Sequence, residues 1–245
     1  MVSSTRKSIS LRSAVREWWV DSVAKRGLSA TVGTFLSEIW GFLQDSTPEQ
    51  QRRRYGDVEY DWDHRVDTTG ATVHWRDRLL GIFHSPYQPT EPALFHEMLR
   101  ALAIDFTEFI FIDLGSGKGR TLLMAAEYPF RRIVGVELLP ELSRIAYDNL
   151  QKYTSETQKC FSLESVCDDA RKFEFPAEAT VLYLFNPLLE TGLSIVLDNL
   201  EQSLRKHPRK VFVLYHNPLL EHVLAMCGSL RKTKSTHQYS VYEAT

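Results

Sequence analysis

A doubly wound α/β fold around a mostly parallel, seven-stranded sheet is what this sequence predicts, and three observations carry the prediction. From Phe109 onward, short apolar runs rich in β-formers alternate with amphipathic stretches of helical spacing. The first of these runs leads through a glycine-rich loop straight into a helix. The last two, Ser229–Thr233 and Gln238–Glu243, follow one another with no room for a helix between them. Strands that alternate with helices build parallel sheets through right-handed crossovers. Two strands joined directly make an antiparallel hairpin, expected here to close the sheet edge.

The N-terminal part is different in kind. Leu11, Val15, Trp18, Trp19 and Val23 recur at three- and four-residue steps, which predicts an amphipathic helix. Gly27 punctuates it, and a second helix is expected from about Ser29 to Leu43. All five tryptophans (Trp18, Trp19, Trp40, Trp62 and Trp75) precede residue 90. After Thr47-Pro48-Glu49 come the cluster Arg52–Arg54 and an acidic, aromatic stretch, Tyr60-Asp61-Trp62-Asp63-His64. Residues 1–85 read as a helical N-terminal extension, and residues 86–245 as the domain it accompanies. Packing is the default role of tryptophan; Trp62, His64 and Trp75 are also candidates to cover a ligand site.

Within the larger domain, Thr90 is placed to cap a helix, with Glu91 and Pro92 in its first turn and Leu94, Phe95, Met98, Leu99 and Leu102 on its apolar face. Phe109–Ile112 is the first strand and Thr121–Tyr128 the next helix. Arg132–Val136 and Pro140–Tyr153 repeat the pair. Further strands are expected at about 161–166, 180–185 and 211–215, and helices at 191–204 and 218–226.

Composition sets bounds on function. The chain has 245 residues, 43% hydrophobic and 24% charged, the profile of a globular protein of one large domain with an extension. A net charge of -2 offers no global attraction to polyanions, so nucleic acid is not an expected partner. Cys160, Cys167 and Cys227 form no Cys-x-x-Cys pair; an odd, scattered set points to a reducing, cytoplasmic compartment and away from disulfides or structural zinc. The histidines show no His-x-x-x-His pair, so no catalytic metal is expected. No run approaches the ~18 apolar residues of a membrane span. The Ser-rich, basic N-terminus lacks an acid before Glu17, as organellar transit peptides do, but reads more simply as the frayed start of a helix. The clusters Arg52–Arg54, Lys206–Lys210 and Arg231–Lys234 read as solvated faces.

The chemistry concentrates in the loop Asp113-Leu114-Gly115-Ser116-Gly117-Lys118-Gly119-Arg120. Its glycines permit a tight turn and close approach of a ligand to the backbone, and the helix that follows turns its N–H groups and dipole toward that ligand. The spacing is G-x-G-x-G, not the G-x-G-x-x-G of nicotinamide sites, and Lys118 is followed by Gly119 rather than by the Ser or Thr of a phosphate-binding P-loop. Glu137, at the tip of the second strand, is placed to accept both hydroxyls of a ribose; on position alone it is otherwise a solvated residue at a helix start. Asp168-Asp169-Ala170, after the third strand, offers an acid to an adenine amino group or simply makes a turn.

Taken in order, Asp113–Arg120, Val134-Gly135-Val136-Glu137, Asp168-Asp169-Ala170-Arg171 and Leu184-Phe185-Asn186-Pro187 resemble the motif set of the class I, seven-strand, Rossmann-like methyltransferases. The resemblance spans residues 86 to about 245 and implies S-adenosyl-L-methionine as cofactor. It implies that Asp113 and Gly115 lie by the methionine part within the loop of Ser116, Gly117 and Gly119, that Glu137 holds the ribose, and that Asp169 touches the adenine beside Ala170. Relatives often have Gly-Asp-Ala where this chain has Asp168-Asp169-Ala170, so either aspartate remains a candidate. Tyr87-Gln88-Pro89-Thr90 resembles a segment that holds the methionine carboxylate.

The fourth strand delivers Asn186-Pro187-Leu188 to the carboxyl edge of the sheet, where open α/β sheets bind ligands. The Asn186 side chain and the backbone carbonyls of Phe185, Asn186 or Pro187 are the groups to receive an amine there; alone, Asn186-Pro187 is a turn. Asn-Pro-Pro followed by an aromatic marks enzymes that methylate planar amino groups, and Leu188 and Leu189 replace its last two residues, which argues against a base as acceptor. The motif wording is closest to small protein-lysine N-methyltransferases. The expectation is therefore methyl transfer to an amine nitrogen of a protein lysine or a small molecule, with catalysis resting on Asn186 and Pro187. The alternatives are a nucleic-acid base as acceptor, or a cofactor-binding interaction module without catalysis. His216-Asn217-Pro218, after the fifth strand, either lines the acceptor pocket or is a satisfied loop.

Overall fold

The computed structural model describes residues 11–45, 58–69 and 88–244. Backbone packing divides the chain into two units, Met1–Glu59 with Thr69–Gln88, and Tyr60–Thr68 with Pro89–Thr245. In the first, α1 (Leu11–Arg26) and α2 (Leu28–Asp45) are broken where the sequence predicts. Gly27 takes a φ of 79°, a left-handed turn that glycine enters without steric cost. The rings of Trp18 and Trp19 both meet Phe35, with centroids 5.9 Å apart in each case. A third helix, α3 (Val58–His64), leads into the second unit.

The second unit holds the sheet. Its elements are α4 (Pro92–Arg100), β1 (Ile110–Leu114), α5 (Arg120–Ala125), β2 (Ile133–Glu137), α6 (Pro140–Lys152), β3 (Leu163–Cys167), β4 (Thr180–Leu184), α7 (Glu190–Lys206), β5 (Val211–His216), α8 (Glu221–Met226), β6 (Leu230–Ser235) and β7 (Tyr239–Ala244). The strand order is β3-β2-β1-β4-β5-β7-β6. Neighbours are parallel except at β7, which runs antiparallel to both β5 and β6. The expected hairpin forms and closes the sheet edge, with β7 lying between β5 and the outermost strand β6. Residue chemistry explains the choice, since Tyr239–Tyr242 are buried while the last five residues of β6 are exposed and include Arg231, Lys232 and Lys234. Charged side chains on an outer strand also deter pairing with other chains.

Both faces of the central strands are covered, so those strands are apolar throughout. Ile110, Ile112, Leu114, Leu182 and Leu184 point to one face, where α7 and α8 contribute Leu193, Val196, Leu197 and Leu224. Phe111, Val181 and Tyr183 point to the other, against Phe95, Met98 and Leu99 of α4 and Leu122 and Leu123 of α5. β1 lies between β2 and β4, so the connections on its two sides lead in opposite directions and open a crevice at the carboxyl ends. Among the described residues, no helix is long and apolar enough to cross a membrane.

One packing contact fixes the crevice floor. A Cβ on Gly135 of β2 would lie 2.5 Å from Leu122 Cδ1 and 2.6 Å from Ser116 Oγ. Gly135→Ala is therefore expected to destabilise the protein by about 1–3 kcal/mol through overpacking, read as a lower denaturation midpoint. An unchanged midpoint would show that Leu122 and Ser116 yield without cost.

Candidate active site

Two buried carboxylates stand at the carboxyl ends of neighbouring strands. Asp113 of β1 is 3% exposed and Glu137 of β2 is 6% exposed. The loop between β1 and α5 wraps over them because its backbone enters the left-handed region three times, with φ of 87° at Gly115, 54° at Gly117 and 84° at Gly119. Gly115 and Ser116 donate N–H bonds to the Val136 carbonyl at 2.8 and 3.1 Å. Glu137 completes the attachment: Oε2 accepts from the Gly117 N–H at 2.9 Å, and Oε1 accepts from the Leu139 N–H, at the start of α6, at 2.8 Å. Charge-assisted bonds of this kind are the stronger ones.

Asp113 is in a different condition. Thr121 Oγ1, one residue into α5, donates to its carboxylate. Burial outweighs that bond and, with the nearby Glu137, pushes the Asp113 carboxyl up to about 7. In register with Asp113 across the sheet is Tyr183 of β4, on the same face. The Tyr183 hydroxyl is hydrogen-bonded at 2.8 Å to both Thr90 Oγ1 and His216 Nδ1. Burial drives Tyr183 well above the ordinary phenol range and lowers His216 to about 4, so both are neutral at physiological pH. His216 also stacks on Phe185, with ring centroids 3.9 Å apart. An apolar face of the sheet thus ends, at its carboxyl edge, in a row of polar groups.

Thr90 requires a correction. The residue at the N-cap of α4 is Glu91, which makes no side-chain cap, and the Thr90 hydroxyl turns inward to Tyr183. The attraction of a buried phenol outweighs that of a solvated helix end, which water can satisfy. Tyr87 lies outside the described residues. Ser116 directs its side chain toward Gly135.

At the end of β3, the two aspartates part company. Asp169 opens the short turn Ala170–Lys172 and is gripped by Arg171, whose Nε and Nη2 lie 2.9 and 2.8 Å from its two oxygens. Burial opposes ionisation of Asp169, but the bonds from Arg171 win and hold its carboxyl below the usual range. Asp168 is exposed, and its N–H donates to the Glu137 carbonyl at 3.1 Å. The Asp168 carboxylate is therefore the more open of the two.

The tip of β4 is equally defined. Asn186 adopts a φ of 44°, a conformation asparagine tolerates better than most residues. Its Nδ2 donates to the Asn217 carbonyl at 2.7 Å, and its Oδ1 accepts from the Tyr215 hydroxyl at 2.8 Å. Its carboxamide thus fastens the β4 and β5 loops together. Pro187 presses on the glycine loop, so closely that a Cβ on Gly115 would lie 2.5 Å from the proline Cβ. Sequence reasoning missed Tyr183, because its partnership with Asp113 depends on strand register. It also missed the fastening of Lys118 and Arg120 to Asp67 and Asp61, which are 51 and 59 residues away. Trp62 is 80% exposed, and His64 stacks between Tyr60 and Tyr153.

A family model described as histone methylation protein DOT1 matches residues 84–213. A protein-lysine N-methyltransferase of Saccharolobus islandicus (strain REY15A) is 34% identical over 70 residues, 28% of this chain and 43% of that protein. The match therefore spans under half the length of that relative. Among solved structures, an RNA methyltransferase from Salinibacter ruber in complex with S-adenosyl-L-homocysteine is 24% identical, with 64% of this chain and 93% of that one covered at a TM-score of 0.44. TrmN from Thermus thermophilus is 20% identical, with 63% of this chain and 49% of that one covered at a TM-score of 0.45.

The burial of Asp113 has a measurable signature. Its carboxyl rises from 3.8 to about 7 on folding, so the folded state holds that proton more tightly than the unfolded chain does. The stability due to this group is complete below pH ~4, falls as the pH rises toward ~7, and is level above that. Asp113→Asn removes the penalty. The melting temperature of the variant, without ligand, is expected to exceed that of the wild type by several degrees at pH 8, with the gap closing toward pH 4. A gap that does not vary with pH would refute the assignment.

Proposed function

Since the chain belongs to the histone methylation protein DOT1 family, we propose that it is an S-adenosylmethionine-dependent methyltransferase acting on an amine nitrogen, the side chain of a protein lysine. The observation that carries this reading is the pair of buried carboxylates, Asp113 and Glu137, around a glycine loop with three left-handed residues. When bound, S-adenosylmethionine supplies a methyl group activated by the positive charge of its sulfonium. Asp113, held near neutrality by burial, ionises readily beside a cation and so suits the charged amino-acid end of that molecule. Glu137, whose two oxygens hold Gly117 and Leu139 at the tip of β2, is the group we assign to the ribose diol. The open carboxylate of Asp168, with Ala170 next to the occupied Asp169, is the group we assign to the adenine amino group.

The acceptor belongs at the tips of β4 and β5. The stacked Phe185 and His216 and the neighbouring Leu188 make an uncharged wall there, which disfavours an ammonium and favours the free amine that methylation needs. The Asn186 amide is engaged by Tyr215 and Asn217, so it acts by holding the loop. The main-chain carbonyls of Phe185 and Asn186 are the groups we assign to the amine. Positioning and exclusion of water supply the catalysis. The partial likeness to a protein-lysine N-methyltransferase supports lysine as acceptor, and the three free cysteines support a cytoplasmic setting.

Calorimetry tests the cofactor. The wild type is expected to bind S-adenosylhomocysteine and Asp113→Ala to lose binding; a wild type that binds neither this nor S-adenosylmethionine would overturn the reading. Asn186→Ala is expected to retain cofactor binding and to lower turnover at least ~10-fold, the cost of a misplaced positioning group. Full activity in that variant would refute the role given to the β4 tip. For the acceptor, transfer of labelled methyl to lysine-containing peptides is expected, and labelling of small amines alone would sink the lysine assignment.

A further inference from the structure

The glycine loop carries two cations, Lys118 and Arg120, whose side chains are 0% and 2% exposed. Burying a charge is costly unless it is paired and hydrogen-bonded. Lys118 Nζ donates to Asp67 Oδ1 at 2.8 Å. Arg120 donates through Nη2 to Asp61 Oδ1 at 3.3 Å and through Nε to Thr68 Oγ1 at 2.7 Å. The guanidinium also lies 5.0 Å from the centre of the Tyr60 ring, a cation–π distance. These four partners belong to one short segment, Tyr60–Thr68, which packs with the sheet domain.

That segment is tied to itself and to a third element. Asp61 accepts from the Thr68 N–H at 2.7 Å and from its hydroxyl, which closes the segment into a loop. Asn149 of α6, 2% exposed, accepts from the Asp67 N–H at 2.9 Å and donates both to the Asp67 carbonyl at 2.7 Å and to the Lys118 carbonyl at 2.9 Å. A single amide therefore holds the segment and the glycine loop together at the main-chain level. Lys118 sits between Gly117, bonded to Glu137, and Gly119, the N-cap residue of α5. Whatever fixes Lys118 and Arg120 fixes the loop that the cofactor must meet.

We infer that Tyr60–Thr68 is a latch for the cofactor loop, in which Asp61 and Asp67 position the loop by holding Arg120 and Lys118. The inference rests on the cofactor reading given above. With the latch docked, the loop keeps its left-handed backbone and a ligand meets a preformed surface. With its carboxylates neutralised, each of the two buried cations loses a charge partner, and the hold of the segment on the loop weakens. Asp61 and Asp67 are thus positioning residues that touch no ligand.

The test uses the full chain with S-adenosylhomocysteine as probe. Asp61→Asn combined with Asp67→Asn is expected to weaken binding at least ~10-fold and to raise hydrogen exchange in residues 60–68 and 115–120 together. Asp67→Asn alone, at a half-exposed site whose loss the fold tolerates more easily, is expected to give a smaller change in the same direction, and Asp67→Glu to restore it. Leu197→Ala, a core truncation in α7 remote from the latch, controls for stability and is expected to lower the melting temperature while leaving probe affinity unaltered. If the wild type binds and Asp67→Asn and the double variant bind within ~2-fold of it, the latch is refuted while the cofactor reading stands. The same holds if Leu197→Ala weakens binding as much as they do. If the wild type itself fails to bind, the cofactor reading falls and the latch with it.

Discussion

Burying a carboxylate is costly unless donors surround it, and Glu137, at the tip of a parallel strand, has two from the main chain. By accepting from Gly117 and Leu139, it joins the end of β2, the glycine loop and the first turn of α6 at one point. The left-handed φ values of the loop follow from this attachment, since the chain must double back within a few residues to bring the Gly117 N–H to the acid. Asp113, on the next strand, has no such pair of N–H donors among the described residues and accepts from the Thr121 hydroxyl. The two acids are thus distinguished by their surroundings, one held by main-chain N–H groups and the other by a threonine hydroxyl.

The rest of the crevice follows from the layering. The face that buries Phe111 and Tyr183 is apolar until its carboxyl edge, where Asp113, Tyr183 and His216 come into line. The opposite face ends in Tyr215, whose hydroxyl holds Asn186 and also accepts from the Leu220 N–H at 3.1 Å. Each face therefore finishes in a tyrosine that braces the loop above it. Two rigid supports meet at the tip of β4, which suits a site that works by placing its substrates rather than by moving protons.

Much of this was legible in the sequence. The alternation of apolar runs and helical stretches specified the sheet, because parallel strands buried on both faces are apolar throughout. The spacing from Asp113 to Glu137 picked out the two strand tips because it is set locally, by one loop and one helix. What escaped depends on long-range partners. Thr90 looked like a helix cap because capping is a local rule, and only the packing of β4 supplied the phenol that drew it inward. Tyr60–His64 read as part of the N-terminal extension because its composition is unlike that of the strands; its attachment to Arg120 joins residues too distant for any periodicity to link. The inner position of β7, between β5 and β6, agrees with the charges on β6, yet direct adjacency of two strands says nothing about which one lies outermost.

The contact between Gly115 and Pro187 reaches beyond the shape of the crevice. Position 115 has no room for a side chain while a proline occupies 187, and the left-handed backbone at 115 excludes one independently. The glycine loop, which the proposed reading gives to the donor, and the β4 loop, which it gives to the acceptor, are therefore in direct contact. Over evolutionary time, a lineage changing its acceptor could remodel the residues after 187 freely, but a bulkier shape at 187 itself would be vetoed by the donor side. On the proposed reading, diversification at this edge is channelled toward Leu188, Leu189 and the β5 loop, the first positions to vary in a redesign of acceptor specificity.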